Sequence, residues 1–195
     1  METENREIFN GIAGKYINPW CIPGRKRKKI EKIADSLGLK KGMKVLEPGC
    51  GRGDFSSFIL ERITGSGFLY LADVSEKMLD YAGKNTGGFE NVKLIRKCAC
   101  STGIKENSLD AVAAFNSFPH FYPKQKFVDH FSKILKKGGI FVIVHDRTRE
   151  IINKKHKNYG FDMDKYSLPD KHRMDEMMKN AGMRIEEYVN KDYYM

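Results

Sequence analysis

Lys44-Val45-Leu46-Glu47 runs straight into Pro48-Gly49-Cys50-Gly51-Arg52-Gly53-Asp54, and this junction constrains the chain more than any other part of it. A short apolar strand ends at an acid, and glycines then stand at alternate positions. Glycine takes backbone conformations that other residues avoid and lets a neighbour come close to the main chain. A helical pattern follows at once, with Phe55, Phe58, Ile59 and Ile63 on one face. Gly65 and Gly67 mark the next turn, and a second apolar run, 68–72, ends at Asp73. Strand, turn, helix and strand in that order make a parallel pair, because parallel neighbours need a crossover that is usually a helix.

The rest of the chain repeats the alternation. Ser75 is placed to cap a helix that carries Met78, Leu79 and Ala82. Residues 92–95 and 109–115 read as the third and fourth strands. A helix over 123–135 closes at Lys136-Lys137-Gly138-Gly139, a basic last turn with a glycine stop, and 140–144 is the fifth strand. Helical stretches near 148–157 and 170–181 precede a last strand at 183–189. Upstream, Ile30, Ile33, Ala34 and Leu37 recur at helical spacing before Gly38, and an irregular segment with Gly and Pro leads into that helix. The pattern predicts an α/β fold, a central and mostly parallel sheet with helices on both faces. At 195 residues the chain suits one domain spanning 1–195 and is too short for two comfortable ones.

Composition narrows the classes. No apolar stretch approaches the roughly 20 residues of a membrane helix, and Met1-Glu2-Thr3-Glu4 does not begin a signal peptide. The expectation is a soluble, cytoplasmic protein with no membrane span. Cys21, Cys50, Cys98 and Cys100 contain no CxxC pair, so zinc-ribbon and thioredoxin readings fail, and thiols in a reducing compartment are expected. The formal net charge is +10, but only residues 25–29, Arg-Lys-Arg-Lys-Lys, form a dense run. Elsewhere lysine is interleaved with acids. A solvated basic face accounts for this better than a nucleic-acid site.

The acid at the end of the second strand suggests a ligand. Asp73 stands twenty residues after Gly53, where a carboxylate can accept both ribose hydroxyls of a nucleoside. A dinucleotide fingerprint needs a glycine where Asp54 stands, so that reading fails at its third glycine. Glu47, ahead of the glycines, suits a cationic ligand better than a pyrophosphate. A sulfonium nucleoside with an amino-acid tail fits: its ammonium can meet the carboxylate, and its own carboxylate can meet loop N–H groups.

Val45-Leu46-Glu47-Pro48-Gly49-Cys50-Gly51-Arg52-Gly53 resembles motif I of the class I S-adenosylmethionine-dependent methyltransferases. Leu71-Ala72-Asp73-Val74-Ser75-Glu76-Lys77-Met78-Leu79 resembles the acidic motif after their second strand, and Leu109-Asp110-Ala111-Val112 and Leu135-Lys136-Lys137-Gly138-Gly139 their fourth-strand and fifth-strand approaches. Phe9-Asn10-Gly11-Ile12-Ala13-Gly14-Lys15-Tyr16 is similar to the N-terminal segment of the quinone-biosynthesis, UbiE-like, "type 11" small-molecule branch. The resemblance covers about residues 8–189. It implies a Rossmann-like fold, with residues 1–41 as a lead-in and helix over the cofactor site, and S-adenosylmethionine as cofactor with S-adenosylhomocysteine as product. It further implies that Gly49, Gly51 and Gly53 line the methionine portion, with Glu47 near its ammonium. Asp73 then holds the ribose, Val74 and Met78 flank the adenine, and Tyr16 caps the site. The family's usual carboxylate after strand three is replaced by Cys98, which leaves the adenine edge to the Ala99 backbone and to packing. Asn116 is also assigned to the cofactor. After Val189 only six residues remain, so the closing strand is expected to be short or incomplete.

Methyl transfer needs positioning, exclusion of water and sometimes a base; no metal is required. The acceptor region falls at Asn116-Ser117-Phe118-Pro119-His120-Phe121-Tyr122 and at His145-Asp146-Arg147. Phe118, Phe121 and Tyr122 either line an aromatic pocket or pack as core, and Asp146 and Arg147 either orient a polar acceptor or form a surface ion pair. His120 and His145 end adjacent strands, and in a helix starting near 148 Arg149, Asn153 and His156 share one polar face. These three histidines are the candidate bases. The expected activity is methyl transfer to a small-molecule acceptor. The Asn-Pro-Pro-Tyr motif of base-amino methylation is absent, so nucleic acid is an unlikely partner. The alternatives are an RNA or other anionic-macromolecule methyltransferase and a non-catalytic nucleoside-binding protein. A minor one is metalloid or thiol methylation through Cys98 and Cys100.

Overall fold

The computed structural model describes residues 2–14 and 25–195. Its centre is a five-stranded sheet in the order β3-β2-β1-β4-β5. The strands are β1 (Lys44–Pro48), β2 (Phe68–Asp73), β3 (Val92–Arg96), β4 (Leu109–Phe115) and β5 (Leu135–Val144). All four pairings are parallel, with Lys44 opposite Phe68 on one side of β1 and Val45 opposite Ala111 on the other. The helices are α1 (Glu2–Ile12), α2 (Arg25–Ser36), α3 (Ser56–Ile63), α4 (Glu76–Thr86), α5 (Lys124–Ile134), α6 (Arg149–Asn158), α7 (Met163–Tyr166) and α8 (Lys171–Asn180). The strand order reverses between β1 and β4. The crevice at the carboxyl ends of those strands is where ligands bind in such sheets.

The two-residue side-chain period of the strands divides the core into two layers. Val45, Leu69, Leu71, Ala111 and Ala113 face α2, α3 and α4, which contribute Ile30, Ile33, Phe58, Ile59, Ile63 and Leu79, with Leu37 just after α2. Leu46, Ala72, Val112, Ala114 and Ile143 face the other way, against Phe127, Phe131 and Ile134 of α5 and Met174, Met177 and Met178 of α8. Burial on both faces is why the strands read as apolar runs rather than as alternating ones. Ser75 caps α4 by accepting from Met78 N–H at 3.1 Å, and Asp170 caps α8 by accepting from Arg173 N–H at 2.8 Å.

Three expectations from the sequence need correction. The lead-in is helical over Glu2–Ile12, because Asn5, Phe9 and Ile12 fall at i, i+4 and i+7 and give the helix a face to lay on the molecule. Residues 136–139 do not finish a helix: α5 stops at Ile134, β5 starts at Leu135, and the Lys-Lys-Gly-Gly segment bulges between the pairs Leu109–Leu135 and Ala111–Ile140. Residues 183–189 form no strand. Met183, Ile185 and Tyr188 pack partly on the core, but Glu186 and Glu187 are adjacent and exposed, which breaks the alternation a half-buried strand needs. The chain instead turns back after Val189. Tyr194 pairs antiparallel with His145 at the end of β5, His145 N–H donating to Tyr194 O at 2.9 Å.

Candidate functional site

The β1–α3 turn opens into a cavity of about 690 Å³ at the carboxyl ends of the strands. Its glycines have different jobs. All three have positive φ, but a Cβ on Gly49 would stand 2.7 Å from the Ser117 Cβ, and one on Gly53 would stand 3.1 Å from the Ala82 Cα. Gly49 therefore lets the turn meet the β4 loop, and Gly53 lets it meet α4. A Cβ on Gly51 would meet no protein atom within 4 Å, so this residue leaves its space to the cavity.

Two acids border that space. Glu47 is 2% exposed, and Ser56 Oγ donates to its Oε2 at 2.5 Å. Burial pushes the Glu47 carboxyl up to about 8, against the opposing hydrogen bond from Ser56, and the negative charges of Asp54 and Asp73 add to the rise. Asp73 is also buried, and its two oxygens are held by main-chain donors from both flanking loops: Gly51 N–H at 2.9 Å on Oδ2 and Ser75 N–H at 2.8 Å on Oδ1. Burial raises its pKa, and those N–H bonds oppose the rise. Each oxygen keeps a further lone pair for a ligand hydroxyl. Val74, Met78, Cys98, Ala99 and Asn116 line the same cavity. Asn116 has φ 50°, and its Oδ1 accepts from Asp146 N–H at 3.2 Å, which joins the ends of β4 and β5.

The other half of the cavity is aromatic and carries the three histidines. His120, His145 and His156 all line it. The His120 ring sits 5.1 Å from Phe9, 5.2 Å from His156 and 5.8 Å from Tyr166, centroid to centroid. Burial above all holds both His120 and His145 down to about 3, with Lys124 adding to the effect on His120, so they are neutral at any ordinary pH. His120 Nδ1 and His145 Nε2 are buried and have no hydrogen-bond partner among the described residues. His156 differs. It is half-buried, its pKa is lowered chiefly by burial, and its Nδ1 lies 2.7 Å from Tyr166 O, which makes Nδ1–H the donor and leaves Nε2 with a lone pair.

The helix after β5 uses its polar stripe differently from the sequence expectation. Arg149 Nε donates to Leu168 O at 3.1 Å, and Asn153 grips Leu168 from both sides, donating to its O at 3.1 Å and accepting from its N–H at 2.8 Å. Of that stripe only His156 lines the cavity, beside Ile151, Ile152 and Lys155 of the same helix. A helix face polar enough to suggest substrate contact is serving as a clamp on the loop 166–168. Phe118 is fully buried and packs toward Phe141, whereas Phe121 and Tyr122 line the cavity. Asp146 and Arg147 also line it. Tyr16 lies outside the described residues.

Sequence reasoning missed the N-terminal wall. Asn5, Phe9 and Ile12 of α1 line the cavity. Asn10 Oδ1 accepts from Ser75 Oγ at 2.6 Å, Asn5 Nδ2 donates to His120 O at 3.1 Å, and Arg52 Nη1 donates to Ala13 O at 3.1 Å. The i, i+4, i+7 spacing was the available signal. Lys124 is not part of the cavity wall, but its charge helps to lower the pKa of His120 and His156. It is partly buried at the start of α5, donates to Pro119 O at 3.3 Å and Lys165 O at 2.5 Å, and burial lowers its pKa to about 8. Cys98 and Cys100 lie beyond the third strand, in a turn closed by Ser101 N–H donating to Cys98 O at 2.9 Å, and their Sγ atoms are 2.9 Å apart.

A family model described as a methyltransferase domain matches residues 39–187. A demethylmenaquinone methyltransferase of Staphylococcus aureus is 29% identical over 140 residues, covering 69% of this chain and 57% of that protein. The chain thus spans little more than half the length of the curated relatives it matches. A SAM-dependent methyltransferase from Aquifex aeolicus shares the fold with a TM-score of 0.70 at 21% identity, over 88% of this chain and 93% of that one. A phosphoethanolamine N-methyltransferase from Haemonchus contortus, solved with phosphomonomethylethanolamine and S-adenosylhomocysteine, shares it with a TM-score of 0.65 at 20% identity, over 82% of this chain and 37% of that one.

Proposed function

The chain belongs to the methyltransferase-domain family, and from that premise we propose that it moves the methyl group of S-adenosylmethionine onto a small-molecule acceptor held beside His120, His145 and His156, leaving S-adenosylhomocysteine. The observation that carries the reading is a pair of buried carboxylates, Glu47 and Asp73, on either side of one glycine turn in a single cavity. The residues fit this donor. Gly51 leaves room against the main chain, Glu47 would meet the ammonium, and Asp73 would take the ribose hydroxyls on its remaining lone pairs. Val74 and Met78 would flank the adenine, Cys98 and Ala99 its edge, and Asn116 would stand between donor and acceptor. When bound, the donor supplies an electrophilic methyl group on a sulfonium, displaced in line with the departing sulfur.

The chain's own residues position and dry the acceptor. Phe9, Phe121 and Phe127 exclude water, which strengthens every polar contact inside. The two unpartnered imidazole nitrogens of His120 and His145 orient a hydroxyl or amine by hydrogen bonding, and a buried polar group left unpaired costs free energy that such an acceptor would recover. Held neutral as they are, both are weak bases. His156 is the better base: its tautomer is set by Tyr166 O, and its Nε2 can take a proton. A small acceptor also agrees with the relatives named demethylmenaquinone methyltransferase.

Calorimetry tests the donor. Losing two charge-assisted hydrogen bonds in Asp73→Ala should weaken S-adenosylmethionine binding by about 2–4 kcal/mol; unchanged affinity removes the ribose assignment. Methyl transfer from labelled donor into a metabolite extract, against total RNA, tests the acceptor class. Label in RNA alone would refute the small-molecule reading. Once the acceptor is in hand, His156→Ala should keep donor affinity and lose turnover by about 10²-fold or more. Full turnover would leave the pocket working by shape and desolvation.

A further inference from the structure

Cys98 and Cys100 occupy positions one and three of the turn that follows β3, and the Ser101 N–H to Cys98 O bond that closes the turn points both side chains the same way. Their sulfurs are 2.9 Å apart, nearer than two non-bonded sulfurs ordinarily approach, and both residues are half-buried in the cavity wall. Among the described residues, the cavity's remaining thiol is Cys50, which is 7% exposed and has its Sγ against Gly51 O at 3.7 Å. The pair at 98 and 100 is therefore the accessible one, and it needs to close by less than ~1 Å to reach a disulfide bond length of about 2.05 Å.

We propose that Cys98 and Cys100 form a hydroperoxide-oxidisable dithiol, a modification site in the cofactor wall that closes to an intraloop disulfide and lowers affinity for the bound nucleoside. One thiolate attacks a hydroperoxide oxygen. The O–O bond breaks, one oxygen leaves as water or alcohol, and the sulfur becomes a sulfenic acid. The second thiolate attacks that sulfur, the S–S bond forms, and hydroxide leaves and is protonated to water. Two thiols lose two electrons and one hydroperoxide gains them. The turn contracts, and with it the wall formed by Lys97, Cys98, Ala99 and Cys100. The effect on affinity rests on the methyltransferase reading; the oxidation does not.

Trypsin cleavage after Lys97 and Lys105 isolates both cysteines in one peptide, 98–105, with no other cysteine in it. The reduced full chain is treated with hydrogen peroxide, with and without S-adenosylhomocysteine, and digested after alkylation. The proposal expects that peptide to become lighter by two hydrogens, to escape alkylation, and to recover with dithiothreitol. Cys98→Ser and Cys100→Ser should each abolish the shift. Calorimetry on oxidised protein should show S-adenosylhomocysteine affinity lower by about fivefold or more, and the same ligand should slow oxidation, because coupling between two sites is reciprocal. A peptide that stays a dithiol, or that passes to sulfinic acid without a disulfide, overturns the site. A disulfide with unchanged affinity overturns its effect on binding. If reduced protein fails to bind the nucleoside, the methyltransferase reading falls while the peptide mass still decides the dithiol.

Discussion

Glu47 and Asp73 are both buried acids at strand ends, yet they are held differently, and this separates their roles. Asp73 has two main-chain N–H donors fixing its oxygens, which makes it a rigid acceptor. Glu47 has one hydroxyl donor and two acidic neighbours, and it retains its proton up to about pH 8. The folded chain therefore binds a proton at Glu47 that the unfolded chain has released, between the ordinary glutamate range and pH 8. Stability must fall as pH rises through that window, by at most ~1.4 kcal/mol per pH unit from this group. Glu47→Gln should flatten that dependence and leave the ligand-free protein more stable at pH 8, as read by denaturant unfolding at several pH values. A bound ammonium favours the charged carboxylate, so donor binding at neutral pH should release a proton from the wild type and none from the variant. Calorimetry in buffers of different ionisation heat reads this; equal release would remove Glu47 from the ammonium site.

Among the elements, α1 has the most consequence for its size. It is polar on much of its surface, and three residues on one face, Asn5, Phe9 and Ile12, complete the cavity wall. It is tied to the first turn of α4 where Asn10 accepts from Ser75 Oγ, the same hydroxyl that caps α4. Asn10→Ala should loosen α1 and leave the α4 cap in place, at a cost of about 1 kcal/mol in donor affinity. Limited proteolysis should then cut within residues 2–14 sooner than in the wild type, with donor protecting both. Proteolysis at wild-type rate would mean that α1 is held by packing alone. The clamp of α6 on Leu168 makes the complementary point. Arg149 and Asn153 spend their polar groups on one loop, and that loop carries Tyr166, which reaches back to Asn5 Oδ1 at 3.3 Å. Elements from the two ends of the chain thus close over the His120 side of the cavity.

Across the whole molecule, the dense basic run and the cavity are separate. The basic run opens α2, whose apolar residues Ile30, Ile33 and Ala34 pack against the sheet face opposite α5 and α8. Arg27 pairs with Glu31 at 2.9 Å and Lys29 donates to Asp192 O at 2.7 Å, and Lys26, Arg27, Lys28 and Lys29 are not among the cavity's walls. Exposed pairs of this kind contribute about 0–1 kcal/mol. Replacing residues 25–29 with Gln and Ser should leave turnover on a small acceptor unchanged and reduce any salt-sensitive retention of RNA. Loss of turnover and retention together would favour a macromolecular acceptor. Among the described residues no helix is long and apolar enough to cross a membrane, and no three His, Cys, Asp or Glu side chains are grouped to hold a metal ion.

The sequence by itself determined the five strands of the sheet, their helical crossovers and the acid-and-glycine half of the cavity. Each of those features is local: Glu47, Gly49, Gly51 and Asp73 lie within single strand-to-helix junctions, where backbone freedom and a terminal acid are written in consecutive residues. It also brought His120 and His145 toward one opening, because parallel strands end on the same side, and put His156 on the helix that starts there. Tertiary structure alone decided what those histidines are. Neutrality held down to about pH 3 at two of them comes from burial under α1 and the returning C-terminal turn, and the tautomer of the third comes from Tyr166, ten residues away. It decided that the polar stripe of α6 grips Leu168, that the 183–189 segment forms no strand, and that the sulfurs of two cysteines meet in one turn. Periodicity tells which face of an element is polar. Only the packing of distant segments fixes what that face meets, and desolvation and hydrogen-bond partnership, which set the chemistry, follow from that meeting.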